Sequence, residues 1–123
     1  MMFKLVYCLA RRTDVAPDTF HRYWLEQHGP KVRERRSALR AQKYIQSHTF
    51  EPELNRLLQD SRGMQPPYDG ITEVWWNSVD DLKAALGTAE GAKAMKELLD
   101  DESSFIDFAN SRLFCTQEHT IFG

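Results

Sequence analysis

The chain has 123 residues, of which 41% are hydrophobic and 28% charged, and its formal net charge is −2 at pH 7. This length predicts one domain over residues 1–123, because two smaller domains would each need disulfides or a metal to hold a core. The composition is that of an ordinary globular protein; it excludes a general nucleic-acid binder, which needs clustered excess Lys and Arg, and offers no apolar run long enough to cross a membrane.

The first strand and the first helix are indicated by local residue types. Residues 3–10 are rich in β-branched and aromatic side chains, which predicts a strand. Pro17 followed by Asp18 marks a helix start, because proline suits the first helical position and a carboxylate there meets the positive end of the helix dipole. We therefore predict a helix that begins near Pro17.

An apolar stripe runs along this helix through Phe20, Trp24 and His28, which lie four residues apart. Gly29-Pro30 then interrupts the backbone hydrogen bonds, and a helical pattern resumes over residues 31–39. We therefore expect His28 to end the stripe near a helix C-terminus, with its ring facing the sheet.

Two further strands flank a long connection. Residues 42–49 alternate in polarity, and residues 71–76 are rich in β-branched and aromatic types, so both segments are predicted strands. Trp75 and Trp76 should face opposite sides of the sheet. The connection over residues 50–67 is long for a compact domain and is predicted to contain one or two helical turns in its first half.

The C-terminal third predicts a broken helical region and a last strand. A helix over residues 78–86 begins with a serine cap, the helical pattern resumes after Gly87 and ends near Asp100, and residues 113–122 form a strand. The resulting order β-α-β-β-α-β is that of an α+β, ferredoxin-like fold. Helices cover one face of such a sheet, and the commonest cover for the other face is a second copy, so we expect a homodimer.

The cysteines and the N-terminal residues indicate a compartment. Cys8 and Cys115 are the only cysteines, too few for a disulfide scaffold, although they could face each other if the end strands are neighbours. The N-terminal apolar stretch precedes the basic residues, the reverse of a secretory signal. We expect a cytoplasmic protein in which both cysteines are small buried residues.

Five segments carry a recognisable pattern in chain order: Phe20-His21-Arg22-Tyr23-Trp24 running into His28-Gly29-Pro30; Tyr44 to His48; Tyr68-Asp69-Gly70-Ile71 with Glu73 and Trp75; Asp101-Glu102 with Phe105-Ile106-Asp107; and Glu118-His119. Together they resemble the EthD family of small proteins. The resemblance implies a dimeric α+β barrel. It also implies an association, in some members, with oxidative breakdown of ethers and other organic compounds, and in others with dehydration or decarboxylation of aromatic polyketides.

His28 is the leading candidate for acid-base chemistry. A helix C-terminus favours the imidazolium and burial favours the neutral ring, so the pKa can lie near neutrality. The alternative is a structural histidine that bonds a strand carbonyl or caps the Gly29-Pro30 break.

Strand two offers a second group of candidates, since Tyr44, Gln46 and His48 project from one face. These side chains indicate either a polar pocket or a wet sheet edge. Tyr68, Asp69 and Glu73 follow where the long connection re-enters the sheet; Asp69 has turn chemistry as its alternative, and Glu73 an ion pair with an arginine.

Asp101 and Glu102 are adjacent carboxylates. They could form an acid-base pair, but adjacent residues usually point apart, and we favour capping or solvent exposure. Glu118 and His119 alternate across a strand, so at most one of them can face a given cavity.

These observations favour a small enzyme that binds an apolar or aromatic molecule between helices and sheet, without metal or other cofactor. It would act by dehydration, cyclisation or decarboxylation, or within an oxidative pathway. The predicted catalytic residues are His28, Tyr44, His48 and Asp69, and the predicted substrate-binding residues are Tyr7, Trp24, Tyr68, Glu73, Trp75 and His119. The alternative is a non-catalytic protein that binds a ligand or assists an oxygenase or polyketide pathway.

Overall fold

The computed structural model describes residues 2–123, and its centre is a four-stranded antiparallel sheet. The strands are ordered β2-β3-β1-β4 across the sheet, with bounds β1 Phe3–Leu9, β2 Lys43–His48, β3 Gly70–Trp76 and β4 Arg112–Thr116. Each of the three pairings is antiparallel. The predicted α+β, ferredoxin-like fold is therefore confirmed.

The helices follow the predicted order. They are α1 Pro17–Tyr23, a π-helical turn Trp24–His28, α2 Gly29–Leu39, α3 Pro52–Arg62, α4 Val79–Leu86, α5 Ala89–Glu102 and a short 3₁₀ helix Phe108–Asn110. α4 begins as predicted, since Ser78 Oγ accepts the backbone N–H of Asp81 at 3.0 Å. Thr88 caps α5 in the same way, through the N–H of Gly91.

The sequence predicted a break in the helix at Gly29-Pro30, but the helical structure continues through this dipeptide. Pro30 has no N–H and its ring would clash with a carbonyl one turn earlier, and the chain accommodates it with a π-helical turn in which Gly29 N–H bonds the Trp24 carbonyl. Helical structure then continues to Leu39. His28 is therefore inside a continuous helical segment, and the prediction that it lies at a helix C-terminus was wrong.

Two other boundaries differ from the sequence predictions. The long connection contains a full helix, Pro52–Arg62, rather than one or two turns. The last strand ends at Thr116 instead of residue 122. Cys8 and Cys115 lie on neighbouring strands, but Cys8 pairs with Arg112 and Cys115 with Leu5, which puts the cysteines on opposite faces of the sheet.

The inner face of the sheet packs against the helices through two separate clusters of buried apolar residues. One contains Leu9, Phe20, Trp24, Phe105 and Ile106, and the other contains Val32, Leu39, Ala94 and Leu98. Trp76 faces this side and stacks on Phe3, while Trp75 lies on the outer face beneath Lys43, as predicted. Space is left where the two clusters meet the sheet.

Candidate functional site

A cavity of about 410 Å³ occupies the space between the helices and the inner sheet face. Fourteen of its 22 lining residues are apolar, which suits a compact hydrophobic ligand. The polar or ionisable lining residues are Tyr7, His28, Arg36, Tyr44, Thr72, Glu102, Ser111 and Arg112. Ionisable side chains in so apolar a wall need partners, and those partners define the chemistry of the site.

His28, in the cavity wall, forms a buried hydrogen-bonded pair with Asp101 behind it. His28 is 5% exposed, and its Nδ1 lies 2.7 Å from Asp101 Oδ2. An ionised carboxylate can only accept, so Nδ1 carries the proton and the Nε2 of the neutral ring keeps its lone pair. The π-helical turn places the ring so that Nε2 faces Glu102, with 3.9 Å between Nε2 and Oε2.

Asp101 is held ionised by three donors. Lys31 Nζ lies 2.8 Å from its Oδ1, the Tyr23 hydroxyl donates to the same oxygen, and His28 donates to the other. Burial acts to raise the pKa of Asp101, but these hydrogen bonds outweigh burial and leave the pKa below its usual range. Its charge therefore persists near neutral pH and fixes the tautomer of His28.

Burial is the largest influence on His28 itself. It lowers the pKa of the ring below the ordinary value of 6.5, against the opposing hydrogen bond and charge of Asp101. At neutral pH the ring is thus mainly uncharged, with a free lone pair on Nε2. That is the state a general base requires.

Glu102 shows the opposite behaviour. Burial and the charge of Asp101 raise its pKa from 4.5 to about 7, and a hydrogen bond with Tyr7 opposes them. The pKa of Tyr7 is raised in turn, first by burial and then by Glu102, so its hydroxyl stays protonated. A carboxyl group that holds a proton near pH 7 can act as a general acid. The cavity therefore contains a base and an acid side by side.

Residues 2–123 contain no group of three or more His, Cys, Asp or Glu side chains that could hold a metal ion. Within the same described range, no helix is long and apolar enough to cross a membrane.

Residues 12–109 match the sequence model of the EthD domain. The chain belongs to the EthD family. The resemblance drawn from its sequence motifs is confirmed by this match. No curated protein matches the chain significantly in sequence.

Solved structures share the fold of this EthD-family chain. An ethyl tert-butyl ether D (EthD) family protein from Bacillus halodurans is 18% identical, with a TM-score of 0.62 over 97% of this chain and 100% of that one. A dimeric ferredoxin-like protein of unknown function from Thermobifida fusca is 13% identical, with a TM-score of 0.58 over 94% and 90% of the two chains. SnoaB, a cofactor-independent oxygenase from Streptomyces nogalater, is 11% identical, with a TM-score of 0.55 over 98% and 96%. At these identities the likeness shows the fold alone.

Four of the predicted site residues line the cavity of this EthD-family chain: Tyr7, Trp24, His28 and Tyr44. His48 lies just outside the lining, where its ring stacks on Trp24 with the ring centroids 4.2 Å apart. Its Nε2 is 2.8 Å from Gln46 Oε1, so it remains connected to the cavity through a neighbouring side chain.

The other predicted residues lie elsewhere. Tyr68 and Asp69 line a surface pocket, where Asp69 accepts the backbone N–H of Arg11 at 2.8 Å. Glu73 and Trp75 are on the outer sheet face, and Glu73 pairs with Lys4 at 2.5 Å rather than with an arginine. His119 is exposed beyond the end of β4. Their predicted roles stay predictions, and the cavity does not include them.

Asp101 and Glu102 were expected to cap a helix or face solvent, yet both contact the His28 ring. Consecutive helical residues point about 100° apart, and the imidazole enters between them, with one nitrogen facing each carboxylate. The spacing from Leu98 was the available signal. Positions three and four residues after a buried leucine lie on the same helix face, so both carboxylates extend an inward stripe.

Proposed function

We propose that this EthD-family chain binds a compact apolar, aromatic molecule in the cavity and moves a proton on it, with His28 as general base. One observation carries the proposal. The hydrogen bond from His28 Nδ1 to Asp101 fixes the tautomer and leaves Nε2 free, in the wall of an apolar cavity.

Glu102 completes the proposed chemistry as the general acid. In a dehydration, His28 Nε2 takes a proton from a carbon of the ligand, the electron pair forms a double bond, and the departing hydroxyl takes the Glu102 proton and leaves as water. Nε2 and Oε2 are 3.9 Å apart, so the proton gained by His28 can return to Glu102 and restore the starting state. In a cyclisation the carbanion formed by His28 would attack a carbonyl carbon, whose oxygen takes the Glu102 proton. In a decarboxylation the Glu102 proton would go to the carbanion that remains when CO₂ departs.

The reaction we propose requires no cofactor. SnoaB, which shares the fold, is a cofactor-independent oxygenase, and this supports the possibility of cofactor-free chemistry on such a scaffold. A place in an oxidative pathway, such as ether breakdown, and a cytoplasmic location also belong to the proposal. Both come from the family and from the cysteine usage rather than from the geometry of the cavity.

We further propose that two copies pair through the outer sheet face. Ile45, Ile71 and Phe114 expose 38%, 38% and 46% of their surfaces there, beside Val6 and Trp75. An apolar sheet face of this kind is a typical protein contact surface. The Thermobifida fusca protein of the same fold is dimeric, which supports this arrangement.

The test of the cavity is an NMR titration of the four histidines with a panel of phenols and aromatic acids. In the wild type, a ligand in the cavity should shift the His28 ring signals and displace its pKa. His28→Gln should remove any ligand-dependent proton exchange at carbon, measured as deuterium uptake from D₂O into the bound compound. His119→Gln, which changes an exposed histidine outside the cavity, is the matched control.

Three outcomes distinguish an enzyme, a ligand-binding accessory protein and a chain whose His28 is only structural. Ligand-dependent His28 shifts with His28-dependent deuterium uptake support the enzyme. The same shifts without uptake for any bound compound would overturn catalysis and favour a ligand-binding accessory protein. His28 signals that ignore every ligand would overturn the binding site itself and leave His28 as a structural histidine.

A further inference from the structure

We infer that Tyr44 forms an oxygen-binding subsite in the cavity: its hydroxyl donates a hydrogen bond to a carbonyl or phenolic oxygen of the ligand, and Gln46 sets that direction. The inference rests on the proposed function and specifies its substrate class. The donors and acceptors along one face of β2 determine this direction.

The orientation of the Gln46 amide is fixed by a backbone carbonyl. Gln46 Nε2 lies 2.8 Å from the carbonyl oxygen of Trp24, and a carbonyl oxygen can only accept. The nitrogen must therefore be on that side. Its second proton points to Tyr44 Oη, 2.9 Å away. Gln46 is thus a donor to Tyr44 and cannot accept the tyrosine proton.

Burial raises the pKa of Tyr44, so its hydroxyl keeps its proton at neutral pH. Hydrogen bonds with Gln46, Thr72 and Trp24 act in the opposite direction without outweighing burial. The Gln46 donor occupies one of the two lone pairs of the phenol oxygen. The Tyr44 proton therefore points away from Gln46. Since Tyr44 lines the cavity, that proton is available to a bound ligand.

The hydrogen bonds continue away from the cavity, and they support the same assignment of donor and acceptor atoms on the Gln46 amide. Gln46 Oε1 faces His48 Nε2 at 2.8 Å, so His48 Nε2 must carry a proton. His48 Nδ1 then meets His21 Nδ1 at 2.9 Å, with one proton between them. His48 therefore holds the Gln46 amide in the orientation that turns its nitrogen toward Tyr44, and His21 bonds His48 in turn.

The ligand class follows from this arrangement. Tyr44 offers one hydrogen bond, while most of the cavity wall is apolar, so the matching molecule is a compact hydrophobic ring with one oxygen acceptor. An oxygen bound at Tyr44 would gain electron density if His28 removed a proton from a neighbouring carbon. The donor would then stabilise an enolate or phenolate as charge develops on it.

Paired probes of equal shape test the subsite. Acetophenone has a carbonyl where α-methylstyrene has a C=CH₂ group. Tyr44→Phe should weaken acetophenone binding about fivefold to tenfold and leave α-methylstyrene binding within about twofold, because only one probe loses a hydrogen bond. Infrared spectra of bound ¹³C-labelled acetophenone should show a carbonyl stretch at lower wavenumber in the wild type, and this shift should disappear in Tyr44→Phe.

Gln46 is a positioning residue, and two variants separate its direction-setting role from packing. Gln46→Glu replaces the donor with an acceptor, so Tyr44 should turn its proton toward residue 46 and the infrared shift should be lost. Gln46→Leu removes the donor without adding an acceptor, so the shift should remain. Loss of the shift in both variants would overturn the role of Gln46.

Failure of the subsite is distinguishable from failure of the cavity. If both probes perturb the His28 signals but Tyr44→Phe affects them equally, the cavity stands and the oxygen subsite is refuted. If neither probe perturbs His28, the proposed function and the subsite fail together. Tyr44→Phe and the paired probes decide the matter even where a Gln46 variant does not fold.

Discussion

Glu102 and His28 form a neutral acid-base pair rather than a salt bridge. Glu102 Oε2 lies 3.9 Å from His28 Nε2. Burial lowers the pKa of His28 below 6.5, while burial raises that of Glu102 to about 7. Between the lowered pKa of His28 and pH 7, the carboxyl therefore holds its proton while the ring is a free base. A carboxyl ordinarily has a lower pKa than an imidazole, and here that order is reversed. The acid is therefore protonated and the base unprotonated at the same pH.

The first prediction is a bell-shaped pH profile for the proposed reaction. The acid limb should follow protonation of His28 below pH 6.5, and the alkaline limb should follow loss of the Glu102 proton near pH 7. Because the two sites interact, the apparent pKa values belong to the pair. Glu102→Gln should lower kcat by about 10² to 10⁴ and remove the alkaline limb. An alkaline limb that persists in this variant would show that another group is the acid.

The second prediction concerns stability. The folded-state pKa of Glu102 is raised from 4.5 to about 7, so folding favours its protonated form, and this contribution is present below pH 4.5 and lost as the pH rises through 7. At about 1.4 kcal/mol for each pH unit, the loss is on the order of 3 kcal/mol. Glu102→Gln should therefore raise the free energy of unfolding at pH 8 relative to wild type and flatten its fall between pH 5 and 8. Urea unfolding at several pH values measures this.

His28→Gln is the control, because His28 affects the free energy of unfolding on the acid side of the pH range. The folded-state pKa of His28 is lowered, so its unfavourable effect arises as the pH falls through 6.5 and the unfolded chain takes up the proton. His28→Gln should remove the decrease in the free energy of unfolding at acid pH. It should leave the decrease above pH 5, which comes from Glu102, unchanged. If Glu102→Gln and wild type instead give parallel curves, Glu102 is not held protonated by the fold.

How far the sequence could predict the site depends on which interactions are local. The stripe Phe20, Trp24 and His28 is set by helical spacing, so its inward direction was predictable. The partners of His28 were not, because Asp101 is 73 residues away and is placed by the packing of α5 beside the π-helical turn. Glu102 looked like a solvent-facing helix end until that packing was known.

The fold itself was more predictable than its boundaries. Alternation and turn residues indicated all four strands, and the covered and uncovered faces followed from topology. The π-helical turn was not predictable from Gly29-Pro30, since the same dipeptide ends many helices. The length of α3 was underestimated although Leu54, Leu57 and Leu58 have the spacing of one apolar helix face, and the structure leaves all three exposed.

The third prediction tests the outer sheet face. Phe114→Glu places a charge within the proposed contact, where burying it without a partner is costly. Wild type should sediment at twice the 14.3 kDa mass of one chain, and the variant should sediment as a monomer. Leu25→Glu, an exposed apolar residue on the helical side, should stay dimeric. Equal masses for wild type and Phe114→Glu would contradict this contact.

The fourth prediction links β3 to the cavity through Gly70. A Cβ at this position would lie 2.6 Å from Cη2 of Trp24 and 2.8 Å from the carbonyl oxygen of Ser47. Neither neighbour can move freely, because Trp24 is 1% exposed and Ser47 belongs to β2. Gly70→Ala should therefore cost about 1–3 kcal/mol in the free energy of unfolding, as an overpacked core does.

Gly70→Ala should also alter the cavity, because Trp24 forms part of its wall. We expect weaker binding of aromatic probes together with a change in tryptophan fluorescence. Gly87→Ala is the matched control, since its new Cβ would lie 3.4 Å from its nearest neighbouring atom, the Ala84 carbonyl oxygen, and its φ of −78° suits alanine. If both variants unfold at the same urea concentration and bind probes like wild type, the contact of Gly70 with Trp24 does not position the cavity wall.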